Sequence, residues 1–323
     1  MSKAAKLRVL LLQALVIGIV IALAAWLVEN ALSNLAQRGI ATGFGYLGRQ
    51  ASFEIGESLI AFSAADSYAR ALLVGFLNAL EVAVLGCIFS TVLGIAIGIA
   101  RLARNLLLRG AAAVYVEALR NVPLLLQLFV WWDVIQLSAP PPRAAWQLLP
   151  GVFLSNRGLA FPMISFDSGF HLDVPHLAAF NFSGGYSLSP EFAALLAGLV
   201  AYTAAYIAEI VRAGIAGVPK GQFEAAQALG LRPWPTLRLV ILPQARRIIL
   251  PPLISEYLSL TKNSSLAVAI GFPDLVSITN TTLNQTGQAI EAIALMMAIY
   301  LALSLMTSLA LNWVNARAAL KER

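Results

Sequence analysis

The chain has 323 residues, 59% of them hydrophobic and only 12% charged, with a formal net charge of +6. A soluble core cannot hide so much apolar surface, so the composition excludes a soluble globular domain and selects an all-α integral membrane protein. Its basic residues flank apolar runs, which fits membrane orientation and argues against nucleic acid as a partner. The one cysteine, Cys87, sits inside an apolar run and reads as a small buried residue; neither a disulfide framework nor a CxxC-type metal centre can be built from it.

About six segments are long and apolar enough to cross a bilayer, at roughly residues 9–29, 72–100, 111–137, 191–212, 248–271 and 289–313. All are expected to be helices, because a helix satisfies its own backbone in lipid. With the amino terminus in the cytoplasm, cytoplasmic segments carry Lys3, Lys6, Arg8, Arg101, Arg104, Arg109, Arg212, Lys220, Arg232, Arg238, Arg246, Arg247, Arg317, Lys321 and Arg323. The external segments carry only Arg38, Arg49, Arg70, Arg143 and Arg157, and this bias places both termini in the cytoplasm. Lys3, Lys6 and Arg8 before an apolar run ending in Ala22-Leu23-Ala24 could mark a secretory signal. The run is longer than a usual signal core, so it is read as a retained span.

Residues 30–70 form an external stretch rich in Gly, Ser and Ala. The second span contains Ser90, Gly94 and Gly98 at intervals of four, a pattern for close helix packing. The third carries EALRNVPLLLQ, with Glu117, Arg120, Asn121, Pro123 and Gln127. A charge at the bilayer centre costs about 2.5–3.5 kcal/mol, so these residues are candidates for a substrate path. Glu117 reaches Arg120 at i+3, so the two charges are expected to neutralise each other in part, and Pro123 is expected to kink the span and free a carbonyl.

An external insertion at about 138–190 opens with Ala139-Pro140-Pro141-Pro142 and is too short to bury much core alone, so it is expected to pack on the ends of the spans. Its His171 and His176, near Asp167 and Asp173, read as surface residues and not as a metal site. In the fourth span Tyr202, Tyr206 and Glu209 share one face, with Arg212 one turn on; Glu209 and Arg212 are a possible gate or a structural ion pair. In the fifth, Glu256, Ser259 and Asn263 share a face, with Lys262, Ser264 and Ser265 adjacent, and this stripe is expected to face a pathway.

Between these spans, a loop at about 213–247 contains QFEAAQALGLRPWPTLRLVILP from Gln222 to Pro243. Pro219 starts a run of good helix formers and Gly230 is its expected left-handed stop, followed by Pro233 and Pro235. Ala225 and Ala226 offer close backbone approach and Glu224 a charge, so the helix presents a docking face. No GxxxxGK[ST], GxSxG or HExxH occurs, so the chain has no nucleotide cradle of its own.

Glu224-Ala225-Ala226, Gly230 and Leu242-Pro243 at this spacing resemble the EAA loop of ABC importer permeases, with Val240 where that pattern usually has Ile. Together with EALRNVPLLLQ and SLTKNSSLAVAIG, the segment is similar to the polar amino-acid (histidine/glutamine/arginine) branch, most of all to the first permease of general L-amino-acid importers. The resemblance covers roughly residues 70–315. It implies a type I ABC importer permease fold in residues 71–323, with residues 1–70 adding an extra N-terminal helix and an external segment. It also implies no cofactor on this chain, ATP and Mg on a two-copy ATPase subunit, a second homologous permease or a second copy of the chain, a periplasmic amino-acid-binding protein, and the bacterial inner membrane. The alternative is an ion-coupled secondary transporter or channel, in which Glu256 and Lys262 would be coupling or selectivity groups.

Overall fold

The computed structural model describes residues 3–37, 39, 41–165 and 171–318. Arg38, Asp167, Lys321 and Arg323 lie outside the described residues. Among the described residues four helices are each long and apolar enough to span a membrane, and the number rises to six if each of two bent pairs is one broken span.

Helix α1 (Lys3–Gln37) is apolar on all sides, and none of its most apolar stretch is buried within the chain. A helix without a packed face is solvated by lipid. Helix α2 (Tyr68–Ala100) starts at Ser67, whose hydroxyl accepts from the Arg70 N–H. Its small residues act as expected. A Cβ on Gly94 would lie 2.7 Å from the Ile207 side chain, and one on Gly98 would lie 2.8 Å from the Ala208 carbonyl oxygen, so only glycine admits helix α5 (Pro190–Ala216) this closely.

The third span is a sharp break, not one kinked helix. Helices α3 (Leu106–Asn121) and α4 (Leu124–Asp133, continued by a π-turn to Ser138) meet at 107°. Pro123 has no N–H to continue the ladder, and Val122 before it is extended at φ −100°, ψ 130°.

The insertion contains strands that helical periodicity did not reveal. Strands β1 (Trp146–Leu149), β2 (Val152–Ser155), β3 (Gly158–Phe161) and β8 (Tyr186–Leu188) form an antiparallel sheet in the order β1-β2-β3-β8. β4 (Met163–Ser165) pairs with β5 (His171–Asp173), and β6 (His176–Ala178) with β7 (Asn181–Ser183). Gly158 has φ +110°, and a Cβ there would lie 1.9 Å from the Leu188 carbonyl oxygen, so β3 and β8 can pair only over a glycine. The sheet packs on the ends of the spans as expected: Leu159, Phe161, Tyr186 and Leu188 join a core with Leu128, Phe192 and Phe272.

After α5 come α6 (Lys220–Ala228), the single turn α7 (Pro233–Pro235), a π-turn (Thr236–Ile241) and α8 (Leu242–Asn263). The fifth span also differs from expectation. α8 tightens into a 3₁₀ stretch (Ser264–Ile270), breaks at left-handed Gly271 (φ +83°), and a further helix, α9 (Leu275–Thr286), follows at a 52° bend. Polar α9, with its four threonines, does not stand out by hydropathy. Helix α10 (Ala289–Ala318) closes the order.

Candidate coupling helix and intramembrane polar site

Helix α6 is stopped by a Schellman arrangement: the Gly230 N–H reaches the Gln227 carbonyl at 2.9 Å and the Leu231 N–H the Ala226 carbonyl at 3.0 Å. Gly230 sits at φ +72°, where a Cβ would be strained. Beneath it, Val218, Ile241 and Ala245 form a small core packed by Phe223, Leu237, Val240 and Ile249. This core seats α6 on the end of α5 and the start of α8, and Val240 fills the place where the family pattern has isoleucine. The Gln244 amide adds a 3.0 Å hydrogen bond to Gln222.

Glu224 and Ala225 are exposed. Ala226 is not: at 2% exposure it faces inward, because at one residue beyond Ala225 it turns about 100° around the helix toward the loop's own core. Close approach from outside therefore runs over Ala225 and not Ala226. Leu242 and Pro243 open α8, with Pro243 in the first turn, where its missing N–H costs nothing.

At the same end of the bundle, Glu209 accepts from Arg212 Nε at 2.9 Å and also from Arg101, the residue that caps α2. The expected Glu209–Arg212 pair is present, and Arg101 turns it into a three-group tie between α2 and α5. Sequence reasoning missed Arg101, which is remote in the chain and had been assigned to membrane orientation alone.

Within the spans, the expected Glu117–Arg120 pair does not form. Arg120 continues the stripe of Ala112 and Val116 that faces α5, and its guanidinium carbon lies 4.9 Å from the Tyr206 ring centroid. The Tyr202 hydroxyl donates to Tyr206 at 3.1 Å. α3 and α5 thus bring Arg120, Tyr206 and Tyr202 into one polar group. Glu117, Asn121 and Ser259 are exposed, and Glu256 and Asn263 are half-buried.

Two of the expected path residues are buried and spend their donors within the chain. Gln127 is 5% exposed and its amide donates to the carbonyls of Leu119 at 2.8 Å and Val122 at 2.9 Å, so it satisfies the carbonyls that the Pro123 break sets free. Ser264 is 1% exposed and donates to the Thr261 carbonyl at 2.8 Å. Lys262 lines a groove of about 380 Å³ with Ser265, Tyr300 and Ser304. The other break, at 271–274, is bridged by Asn78, whose amide donates to the Pro273 carbonyl at 2.9 Å and to the Glu57 carbonyl at 2.8 Å, while Asp274 caps α9 by accepting from Ser277 N–H at 2.8 Å. Asn78 was overlooked, although a lone amide in an apolar span is a signal in its own right. Among the described residues no cluster of three or more His, Cys, Asp or Glu could hold a metal ion.

Residues 90–319 match the family model of the binding-protein-dependent transport system inner membrane component. The chain is 45% identical to the general L-amino acid transport system permease protein AapQ of Rhizobium johnstonii, over 98% of this chain and 94% of that one. It is 43% identical to the putative amino-acid ABC transporter permease protein YhdX of Escherichia coli, over 98% and 95%. Among solved structures it is similar to an amino acid ABC transporter crystallised with histidines, at TM-score 0.59 and 25% identity over 77% of this chain and 95% of that one. The MetNI methionine ABC transporter shares the fold, at TM-score 0.56 and 16% identity over 78% and 97%. With the seated α6 and its glycine stop, these likenesses place the chain in the family of binding-protein-dependent transport system inner membrane components, with the type I ABC importer permease fold.

Proposed function

We propose that the chain is the permease subunit of an ATP-driven importer of polar or general L-amino acids in a bacterial inner membrane, with both termini cytoplasmic. The observation that carries this is α6: an exposed Glu224-Ala225 face, ended by Gly230 and clamped to α5 and α8 by Val218, Phe223 and Ile241. A helix held by its own apolar core passes a push from a docked subunit into two spans at once. The chain has no nucleotide cradle, so ATP and Mg belong to a two-copy ATPase partner. A periplasmic amino-acid-binding protein delivers the substrate, and a second, homologous permease or a second copy of this chain completes the pathway. The relatives are permeases of such systems, and the ion-coupled carrier or channel draws no support from them. Residues 71–323 carry transport, and residues 1–70 add α1 and an external segment.

Reversing the exposed Glu224 charge tests the docking role. Glu224→Lys should leave the fold intact, within about 0.5 kcal/mol as for surface substitutions, yet cut stimulation of the partner's ATP hydrolysis by the binding protein at least about tenfold. Stimulation at the wild-type level would refute it.

A further inference from the structure

We propose that the groove walled by α2, α5 and the underside of the insertion sheet binds an acyl chain of a membrane phospholipid, so that the insertion rests on lipid as well as on protein. The groove encloses about 600 Å³, and its rim includes Phe89 and Val92, exposed residues of α2. Its ligand follows from its walls and is independent of which amino acid the protein carries.

The walls are apolar throughout. Leu196 comes from α5, Trp131 from α4, and Leu154 and Leu159 from the sheet, and among the described residues no charged side chain or hydrogen-bonding amide or hydroxyl lines the space. Filled with water it would hold about twenty molecules, at about 30 Å³ each, with almost nothing on its walls to hydrogen-bond them. Left empty, its walls would lose their dispersion contacts. Hydrocarbon fills the space without either loss, and hydrocarbon is what surrounds α2: Val92 is 66% exposed on a helix long and apolar enough to cross a membrane. With no charge in the lining, the site selects a chain and not a headgroup.

The sheet carries this apolar wall outward from the protein core. Leu188, Leu159, Leu154 and Trp146 are direct cross-strand partners on β8, β3, β2 and β1, so all four point to one face. Exposure rises along that row, from 4% at Leu188, through half-buried Leu159 and Leu154, to 47% at Trp146 on the edge strand. Gln147 and Ser187 belong to the opposite face. Against water the row would be an uncovered apolar patch; against lipid it needs no other cover, and a tryptophan at its outer end suits the boundary between hydrocarbon and water. Helix α1 joins the fold on another side. The chain leaving it is tied to the start of α10, where the Gly43 N–H donates to Glu291 at 2.7 Å and the Gln288 amide donates to the Ala41 and Gly43 carbonyls. The face of α2 that meets α10 carries Phe76, and Val92, sixteen residues on, lies about 160° around the helix from it.

The test uses the full chain, assembled with its ATPase partner in nanodiscs that contain phosphatidylcholine with a diazirine on its acyl chain, or the phosphatidylglycerol counterpart. Samples are irradiated before and after transfer to detergent without added lipid, and mass spectrometry maps the adducts to peptides. Adducts within 148–159 and 193–200 should persist through the transfer to within about twofold, while those at exposed Leu301, Leu305 and Leu309 of α10 should fall at least about tenfold. Both headgroups should give the same result. Ala193→Leu combined with Ala197→Leu places two side chains in the groove and should make its adducts fall in step with those of α10, which serve as the standard for folded, reconstituted protein. Should that pair fail to assemble, Val200→Phe fills the same space from the next turn of α5. An absence of groove adducts in the nanodisc means that a protein surface, α1 or a neighbouring permease, covers the site, and overturns the proposal. Parallel loss of the groove and α10 adducts from wild type, retention with only one headgroup, or full retention in the filled variant overturns it as well.

Discussion

The two broken spans solve the same problem from different distances. Where Pro123 interrupts the third span, the freed carbonyls of Leu119 and Val122 are taken by Gln127, four residues beyond the proline on the next helix. Where Gly271 interrupts the fifth, the Pro273 carbonyl is taken by Asn78, 195 positions away on α2. Each amide donates twice and leaves its own oxygen buried and unpaired, so each is held for its donors alone. The first repair is local and can form as soon as α4 forms; the second exists only once α2, the outer segment at Glu57 and the α8–α9 bend have met.

Removing the remote amide should therefore hurt more. Asn78→Leu strips a donor from both the Pro273 and Glu57 carbonyls and is expected to cost about 3 kcal/mol, at 1–3 kcal/mol per stranded group with some relief from losing the unpaired oxygen. Denaturation of the purified protein, with hydrogen exchange at residues 272–276 as the local readout, measures it. Gln127→Leu is expected to cost about 2 kcal/mol and to speed exchange near 119–127 only, because its contacts lie within one stretch of chain. Equal costs with equally widespread exchange in both variants would dissolve the contrast.

Only the remote repair should also respond to pH. The Glu57 carboxyl, next to the backbone carbonyl that Asn78 binds, is pushed up to about 7, first by burial and then by the nearby charges of Glu81 and Glu191, against a partial opposing pull from Ser189. Because the folded value lies above the unfolded one, the packing of this segment is strongest below about pH 4.5 and weakens as pH rises through about 7. The loss should approach about 2–3 kcal/mol at pH 8. Hydrogen exchange of residues 51–66, corrected for its intrinsic pH dependence, should show it, and Glu57→Gln should flatten it; the Pro123 break should be indifferent. The smallest effect belongs to Gly271→Ala, about 1–2 kcal/mol for a Cβ at φ +83°, with open space around it and so no added clash. A stabilising result there would mean that the bend relaxes in the free chain.

What could be read in advance follows the same divide between local and remote. The stop at Gly230, the start of α8 at Leu242-Pro243 and the close packing at Gly94 and Gly98 depend on one residue type in one short stretch, and the structure has them where the spacing put them. Pro123 signalled a disturbance but not its 107° size, since the angle depends on what α4 packs against. The ion pair expected between Glu117 and Arg120 lost to an aromatic ring 86 residues away, a competitor invisible to helical spacing. Gln127 stood out by its cost in a membrane, and the structure shows both its donors on the backbone carbonyls of Leu119 and Val122. The strands of the insertion are too short, at three or four residues, to show a period of two above noise.

The interlock of α2 with α5 has a mechanical consequence. Ile207 and Val211 lie in the notches left by Gly94 and Gly98, and Arg101 is tied to Glu209 just beyond, so the two helices can neither slide lengthwise nor splay at that end without breaking a contact. They behave as one beam. A torque applied at α6, which is seated on the end of α5, is carried along the full length of both, and the beam's far end bears directly on Leu275 and Ile278 through Gly75 and Leu72. The interlock of α2 and α5 thus runs from the Arg101–Glu209 tie at one end to the seat on Leu275 and Ile278 at the other.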